Sequence, residues 1–280
     1  LKGYKGALNR ISGETNMAKV LVTEQAGHVR TLRLNRPEKK NALSNELAWA
    51  VVEGVEAAAR DDSVWVVAIT GTDDAFCAGL DLSGGDDFSP LSAQDTQLDD
   101  LGWVGRFALV LREVCDKPIV AGVNGVAVGA GLSLAMAADM RIVARSARLM
   151  AGYTRIGGSP DGGLSWTLSQ AVGYEQAMRF MLENRTVLGD EAVALGMAGE
   201  VVEDDRLAAR LQEYCQQIAS WSPITLRLAK RTIGRASGLA DLESQLRYEL
   251  ANIRRAFASQ DAQEARKAFF EKRAPTFQGR

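Results

Sequence analysis

Two periods of apolar spacing alternate along this chain, and the switches between them mark out its elements. Residues 20–23 and 29–34 alternate apolar and polar positions and meet at Ala26-Gly27, which predicts a β-hairpin. Residues 44–60 change period: Leu47, Val51, Val52, Val55 and Ala58 recur at helical spacing and predict an amphipathic helix. Residues 64–69 are almost continuously apolar and predict a buried strand that ends at Thr70-Gly71. A helix over 103–114 and a buried strand over 119–123 follow, and strand, glycine turn and helix repeat to about residue 203. Such alternation predicts an α/β architecture. Beyond Asp205 the strand patterns stop, and residues 207–218, 224–233, 242–258 and 262–270 all read as helix. Residues 81–100, rich in Gly and Asp, read as a mobile loop without elements.

Composition narrows the class. With 280 residues, 46% hydrophobic and 24% charged, the chain is long enough to bury a sizeable core and has ordinary globular usage. A net charge of −2 gives no general attraction to nucleic acid or anionic membrane, so neither is an expected partner. No apolar run approaches the roughly 20 residues of a membrane span. Cys77, Cys115 and Cys215 are isolated, which suggests neither a disulfide framework nor a metal site and fits a reducing, cytoplasmic compartment. Residues 1–16 precede Met17-Ala18-Lys19-Val20, which reads like a natural start, and are expected to be an extension or vector remnant. The expected organisation is therefore an α/β core over 17–204 and a helical region over 205–280.

Three glycine-bearing stretches carry the candidate chemistry. Asn124-Gly125-Val126-Ala127-Val128-Gly129-Ala130-Gly131 joins a buried strand to a helix of small residues. Glycines there either allow tight strand–helix packing or let a ligand oxygen reach the unpaired N–H groups at a helix start. The third glycine of a dinucleotide fingerprint is missing. Phe76-Cys77-Ala78-Gly79-Leu80-Asp81-Leu82 also closes a strand with glycine, and two such segments facing each other could pair their N–H groups on a developing enolate oxygen. Finally, Gly157-Gly158-Ser159-Pro160-Asp161-Gly162-Gly163 sets one carboxylate among four glycines and a proline. Locally this is good turn chemistry, or a cap for a helix beginning near Gly163. His28 is the single histidine, so a Ser-His-Asp triad and a histidine base are excluded.

Taken together, Asn35-Arg36-Pro37 with Asn41-Ala42-Leu43, the Phe76 to Leu82 stretch, Lys117-Pro118-Ile119-Val120-Ala121, the Asn124 to Gly131 stretch and Asp139 resemble the crotonase (enoyl-CoA hydratase/isomerase) superfamily. The resemblance runs from about Ala18 to the C-terminus with the motifs in family order. It implies a crotonase-like spiral of β-β-α repeats, a helical C-terminal trimerisation region giving a homotrimer or dimer of trimers, and acyl-CoA thioester substrates. It implies no permanently bound cofactor, coenzyme A entering as part of the substrate. It also implies that the Leu80 and Ala130 N–H groups form an oxyanion hole, and that Ala78 and the loop with Lys39, Lys40 and Ala42 lie near the CoA nucleotide.

Departures from the family pattern bear on the reaction. Members that hydrate enoyl-CoA use two glutamates, and the matching positions here hold Ser133 and Tyr153. Hydration needs one group to activate water and another to manage the α-proton. What remains is Asp161, in a slot similar to that of the catalytic Asp of phenylacetate-pathway enoyl-CoA isomerases, whose loop also has Pro-Asp followed by glycine. The expected reaction is therefore a shift of a β,γ double bond to α,β, with Asp161 as acid/base and Ser133 and Tyr153 lining the substrate pocket. Alternatives are a hydratase with a different acid/base pair, a dehalogenase-like enzyme of aromatic acyl-CoA, and a CoA-ester- or RNA-binding homologue without catalysis. The locally basic stretch 227–235 is the feature that keeps RNA in view.

Overall fold

The computed structural model describes residues 19–83, 88–221, 223–237, 242, 243, 247, 250, 254, 257, 258 and 260–273. The expected extension 1–16 lies outside them, as does most of the helix expected over 242–258. The chain opens with the hairpin β1 (Leu21–Ala26) and β2 (Val29–Leu34), and continues into helix α1 (Asn45–Arg60). Ser44 caps α1 by accepting from Leu47 N–H at 3.2 Å, and Leu47, Val51, Val52, Val55 and Ala58 form its buried stripe. Three strand pairs follow: β3 (Val66–Gly71) with β4 (Ala75–Cys77), β5 (Ile119–Val123) with β6 (Val126–Val128), and β7 (Met140–Ala144) with β8 (Arg148–Met150). Between the first two pairs lie α2 (Ala93–Leu98) and α3 (Gly102–Leu109); α4 (Ala130–Ala137) follows the second. After the third come a 3-10 helix (Tyr153–Ile156), α5 (Leu164–Val172) and α6 (Tyr174–Glu183), then β9 (Val187–Leu188), α7 (Gly189–Ala194) and β10 (Glu200–Val202). The C-terminal region contributes α8 (Leu207–Ala219), α9 (Pro223–Ser237) and α10 (Gln260–Phe270).

The first strand of each pair joins a six-stranded sheet in the order β1-β2-β3-β5-β7-β10, and the second joins a four-stranded sheet β4-β6-β8-β9. Apart from the β1–β2 hairpin and the β8–β9 pair, neighbours run parallel, with Leu32, Ile69, Ala121 and Arg141 in register across the large sheet. Each turn of the chain thus advances one strand in both sheets at once. That is the spiral of β-β-α repeats. All six residues of β3 and all five of β5 are buried; α8 packs across both strands, with Leu211 seated on Gly122, while α1 lies against β1 and β2.

One sequence expectation needs correcting. Residues 93–98 are helical, so 81–100 is not loop throughout; Ser92 caps the helix by accepting from Asp95 N–H at 3.1 Å. No residue of α2 is buried, so no apolar period announced it. The helix expected over 103–114 is present, as α3 and a π-helical turn (Val110–Val114) that continues it, Cys115 N–H donating to Val110 O at 2.9 Å. Lys230 from α9 reaches the Leu111 carbonyl at 2.6 Å and the Lys117 carbonyl at 3.0 Å, so that turn is used for docking.

That docking engages three cations of the basic stretch. Arg227 and Arg231 both bind the Asp116 carboxylate, the former through two bonds of 2.8 and 3.0 Å, and Lys230 pairs with Asp139 at 2.8 Å. Burial pulls the Asp116 carboxyl upward, yet the two guanidinium groups outweigh it and hold it below its ordinary value. Nearby, Lys117 is 2% exposed and its ammonium donates to Ala58 O at 2.7 Å and Asp61 O at 2.6 Å, closing the C-terminal end of α1. Replacing Lys117 by Met removes a charged donor from each carbonyl and leaves only the backbone bonds, Asp61 N–H to Ala58 O at 3.3 Å and Val64 N–H to Asp61 O at 3.0 Å. A loss of about 2–3 kcal/mol in denaturant-induced unfolding is expected, and an unchanged midpoint would show that water substitutes for the amine.

Candidate active site

Strands β4 and β6 pair in parallel, so the segments leaving them, Ala78-Gly79-Leu80 and Gly129-Ala130, emerge side by side. The first is tied to the 36–43 loop: Ala78 N–H donates to Lys40 O at 3.0 Å, Leu43 N–H to Gly79 O at 2.7 Å, and Asp81 N–H to Leu43 O at 3.0 Å. These bonds alternate in direction and leave the Leu80 N–H out of the ladder. Ala130 is the first residue of α4, so its N–H has no acceptor within the helix. Among the described residues neither N–H donates to a protein acceptor. Gly131 fixes the closeness of the two segments, since a Cβ there would lie 2.3 Å from Cys77 O and 2.7 Å from its Sγ. At the other end of α4, Arg141 donates to Ala138 O at 2.7 Å and to Met197 O at 2.7 Å, placing a cation where the helix dipole is negative. Burial brings this guanidinium down to about 10.

Asp161 lies 7% exposed beyond the 3-10 helix. Tyr153 Oη donates to its Oδ1 at 2.9 Å and accepts from Asp161 N–H at 3.4 Å. Ser133 Oγ, on α4, stands 3.2 Å from Tyr153 Oη, 3.0 Å from Asp161 O and 3.1 Å from Gly129 O. Ser133 and Tyr153 are both buried, and burial first, then the Asp161 charge, push the Tyr153 phenol well above its ordinary range. The loop needs glycine after Asp161: Gly162 has φ +59°, and a Cβ on it would lie 2.7 Å from Phe107 Cζ and 2.8 Å from Ser133 Cβ. Gly163 takes the N-cap position of α5, and Asp161 Oδ1 meets Tyr153 Oη. Behind the loop, α10 packs so closely that a Cβ on Gly157 would lie 2.4 Å from Ala262 Cα.

The remaining sequence candidates sit on the 36–43 loop and on the segment after β4. Lys40 pairs with Asp74 at 2.5 Å, Lys39 Nζ lies 3.3 Å from Ser83 Oγ, Ala42 is buried and Ala78 half-buried. His28 Nδ1 donates to Ser63 O (2.8 Å) and the ring stacks on Trp65 at 3.6 Å, at the hairpin. Sequence reasoning missed the clamp on the 36–43 loop. Asn41, fully buried with φ +56°, donates to Thr72 O and Ala75 O and accepts from Arg36 N–H. Arg36 in turn donates to Ala42 O at 2.6 Å and pairs with Asp81 at 2.9 Å. An Asn between Lys40 and Ala42 was the available signal, because Asn tolerates a left-handed backbone. Burial raises the Asp81 carboxyl, but Ser83 O–H and N–H and Arg36 overcome it and bring it down to about 2. A carboxyl depressed on folding stabilises fully above its unfolded value near pH 4 and loses that contribution as pH falls through about 2. Asp81→Asn is therefore expected to cost about 1–2 kcal/mol at pH 7, with the difference from wild type closing near pH 2 in thermal denaturation series.

Among the described residues no helix is long and apolar enough to cross a membrane, and no three His, Cys, Asp or Glu side chains gather as for a metal ion. The enoyl-CoA hydratase/isomerase family model matches residues 24–280. The 1,2-epoxyphenylacetyl-CoA isomerase of Escherichia coli K12 is 35% identical, over 90% of this chain and 95% of that protein. The short-chain-enoyl-CoA hydratase of Clostridium acetobutylicum is 29% identical over the same shares, 90% and 95%. The solved structure of an enoyl-CoA hydratase/isomerase from Pseudoalteromonas atlantica T6c superposes with a TM-score of 0.83 at 36% identity, covering 93% of this chain and all of that one. Fold, paired strand ends and sequence agree: the chain belongs to the enoyl-CoA hydratase/isomerase (crotonase) superfamily of acyl-CoA-processing enzymes.

Proposed function

We propose that this enzyme is an enoyl-CoA isomerase that moves a β,γ double bond into conjugation with the thioester, using Asp161 as both base and acid. One observation carries the reading. Ser133 and Tyr153, the positions that resemble the two glutamate slots of hydratases, both converge on Asp161, and of the three side chains only Asp161 is a carboxylate. The thioester oxygen lies between the Leu80 and Ala130 N–H groups. Asp161 takes the α-proton, breaking that C–H bond, and the electron pair passes into a dienolate whose charge the two donors hold. One such donor is worth about 3–4 kcal/mol in the transition state. Asp161 then gives the same proton to the γ-carbon, so the reaction is balanced with one carboxyl and no external reactant. Hydration asks for a second charged or acidic group beside the water, and neither a serine nor a phenol held high by burial supplies it.

Coenzyme A enters and leaves with the acyl group, past Lys39, Lys40, Ala42 and Ala78, and no resident cofactor is required. The dehalogenase-like alternative lacks a histidine near Asp161, His28 being engaged at the hairpin. The RNA-binding alternative has three cations of its basic stretch, Arg227, Lys230 and Arg231, paired with Asp116 and Asp139. We place the enzyme in the cytoplasm, on its isolated cysteines, as a homotrimer or dimer of trimers, on the family resemblance. The test is incubation with trans-3-hexenoyl-CoA in deuterated water, following conjugation by absorbance and deuterium by mass. Conjugation is expected. Binding of the ester with neither conjugation nor α-deuterium would overturn the reading for simple acyl chains, and hydration of crotonyl-CoA in the same preparation would favour a hydratase.

A further inference from the structure

We infer that Tyr153 is a positioning residue for Asp161, holding one carboxylate oxygen and setting how readily that group gives up and recovers its proton. The inference rests on the reading of Asp161 as the acid/base. It assigns Tyr153 to the carboxylate, in place of the substrate-pocket role that its position in sequence suggested.

Proton counting makes the case. Tyr153 Oη has one hydrogen and three recorded neighbours: Asp161 N, Ser133 Oγ and Asp161 Oδ1. The backbone N–H can only donate, so it uses the oxygen's lone pairs. The carboxylate oxygen can only accept while it is ionised, and it lies nearest, at 2.9 Å against 3.2 Å for Ser133. The phenolic hydrogen is thus directed to Oδ1. Ser133 reinforces this arrangement, since its own hydrogen has Gly129 O and Asp161 O as well as Tyr153 Oη to choose from. Ser133 also ties the Asp161 main chain to α4, so carboxylate, phenol and the helix that begins at Ala130 form one rigid unit.

The neighbouring elements direct their charged side chains to other partners or to solvent. Phe107 from α3 and Leu164 at the start of α5 bring no charge. On α3 and its continuation, Arg106 is turned to Asp99 and the Trp49 ring, and Arg112 to the Trp166 ring. On α10, behind the loop, Glu264 pairs with Arg273, and Arg266 lies over the Phe257 ring. Arg155, on the 3-10 helix itself, is exposed. A hydrogen bond donated to an ionised carboxylate favours the ionised form. Tyr153 therefore opposes what burial does to Asp161, and the balance between them fits one group to both halves of the proton transfer.

The experiment compares wild type, Tyr153→Phe and protein with 3-fluorotyrosine at position 153. Two quantities are read: the acid limb of kcat/KM for trans-3-hexenoyl-CoA, and the titration of the Asp161 carboxyl by carbon-13 NMR, assigned by its loss in Asp161→Asn. Phe removes the donor, so limb and titration should both move up by about one to two pH units. Fluorotyrosine is a stronger donor, and stays protonated because the site raises the phenol. It should move both down. Superimposable curves for all three folded proteins would reduce Tyr153 to packing and overturn the inference. If Tyr153→Phe fails to fold, the fluorotyrosine shift decides alone. If wild type conjugates nothing, the isomerase reading fails while the NMR titration still decides the role of Tyr153.

Discussion

Asp161→Asn is expected to slow conjugation of a β,γ-enoyl-CoA by about 10²–10⁴-fold, the range for removing a positioned general acid/base. At the middle of that range the loss is near 4 kcal/mol of transition-state stabilisation. The amide has the carboxylate's shape, and its carbonyl oxygen still accepts from Tyr153 Oη, so the loop should keep its conformation and its thermal midpoint. Binding should persist as well, because the CoA portion and the thioester oxygen meet other parts of the site. The loss should therefore appear in kcat with KM little changed, and α-deuterium uptake should disappear with it. A variant that binds the ester and still exchanges the α-proton at the wild-type rate would mean that another group takes the proton.

Gly131→Ala should damage both stability and rate. Its Cβ would lie 2.3 Å from a main-chain oxygen of Cys77, and neither strand β4 nor helix α4 can yield without separating the segments that carry Leu80 and Ala130. Overpacking of this kind costs about 1–3 kcal/mol. Misplacing a donor costs about 10²–10³ in kcat. Adding Cys77→Ala relieves the contact with Sγ but not that with the oxygen, so it should not restore the rate. Gly234→Ala in α9, where a Cβ meets nothing within 4 Å, serves as the control and should be neutral or stabilising. A Gly131→Ala enzyme with wild-type kcat would show that the two segments need not approach so closely.

Helix α1 and strands β3 and β5 were legible in the sequence because one period or one apolar run decides each of them. Strands β4, β6 and β8, at three residues each, were not, since three residues carry no period and owe their pairing to the turns before and after them. Helix α2 escaped notice because it has a good cap and no buried stripe. At the site, Asp161 stood out through its glycines, and the strand ends at Leu80 and Ala130 through theirs. The bond from Tyr153 to Asp161 did not. It spans eight residues, across a 3-10 helix and a glycine loop, and no local periodicity expresses the return of that loop. Nor could composition show that three cations of the 227–235 stretch are bound inward by Asp116 and Asp139.

The contact between Gly157 and Ala262 also bears on how the molecule comes into being. The spiral precedes residue 203 and can begin to collapse while synthesis continues, yet α10, which backs the Asp161 loop, follows that core by more than fifty residues and reaches it later. A nascent chain arrested before residue 260 would carry every residue named in the proposed chemistry without Ala262 behind Gly157. Arrival of α10, rather than folding of the core, would then be the event that completes the enzyme.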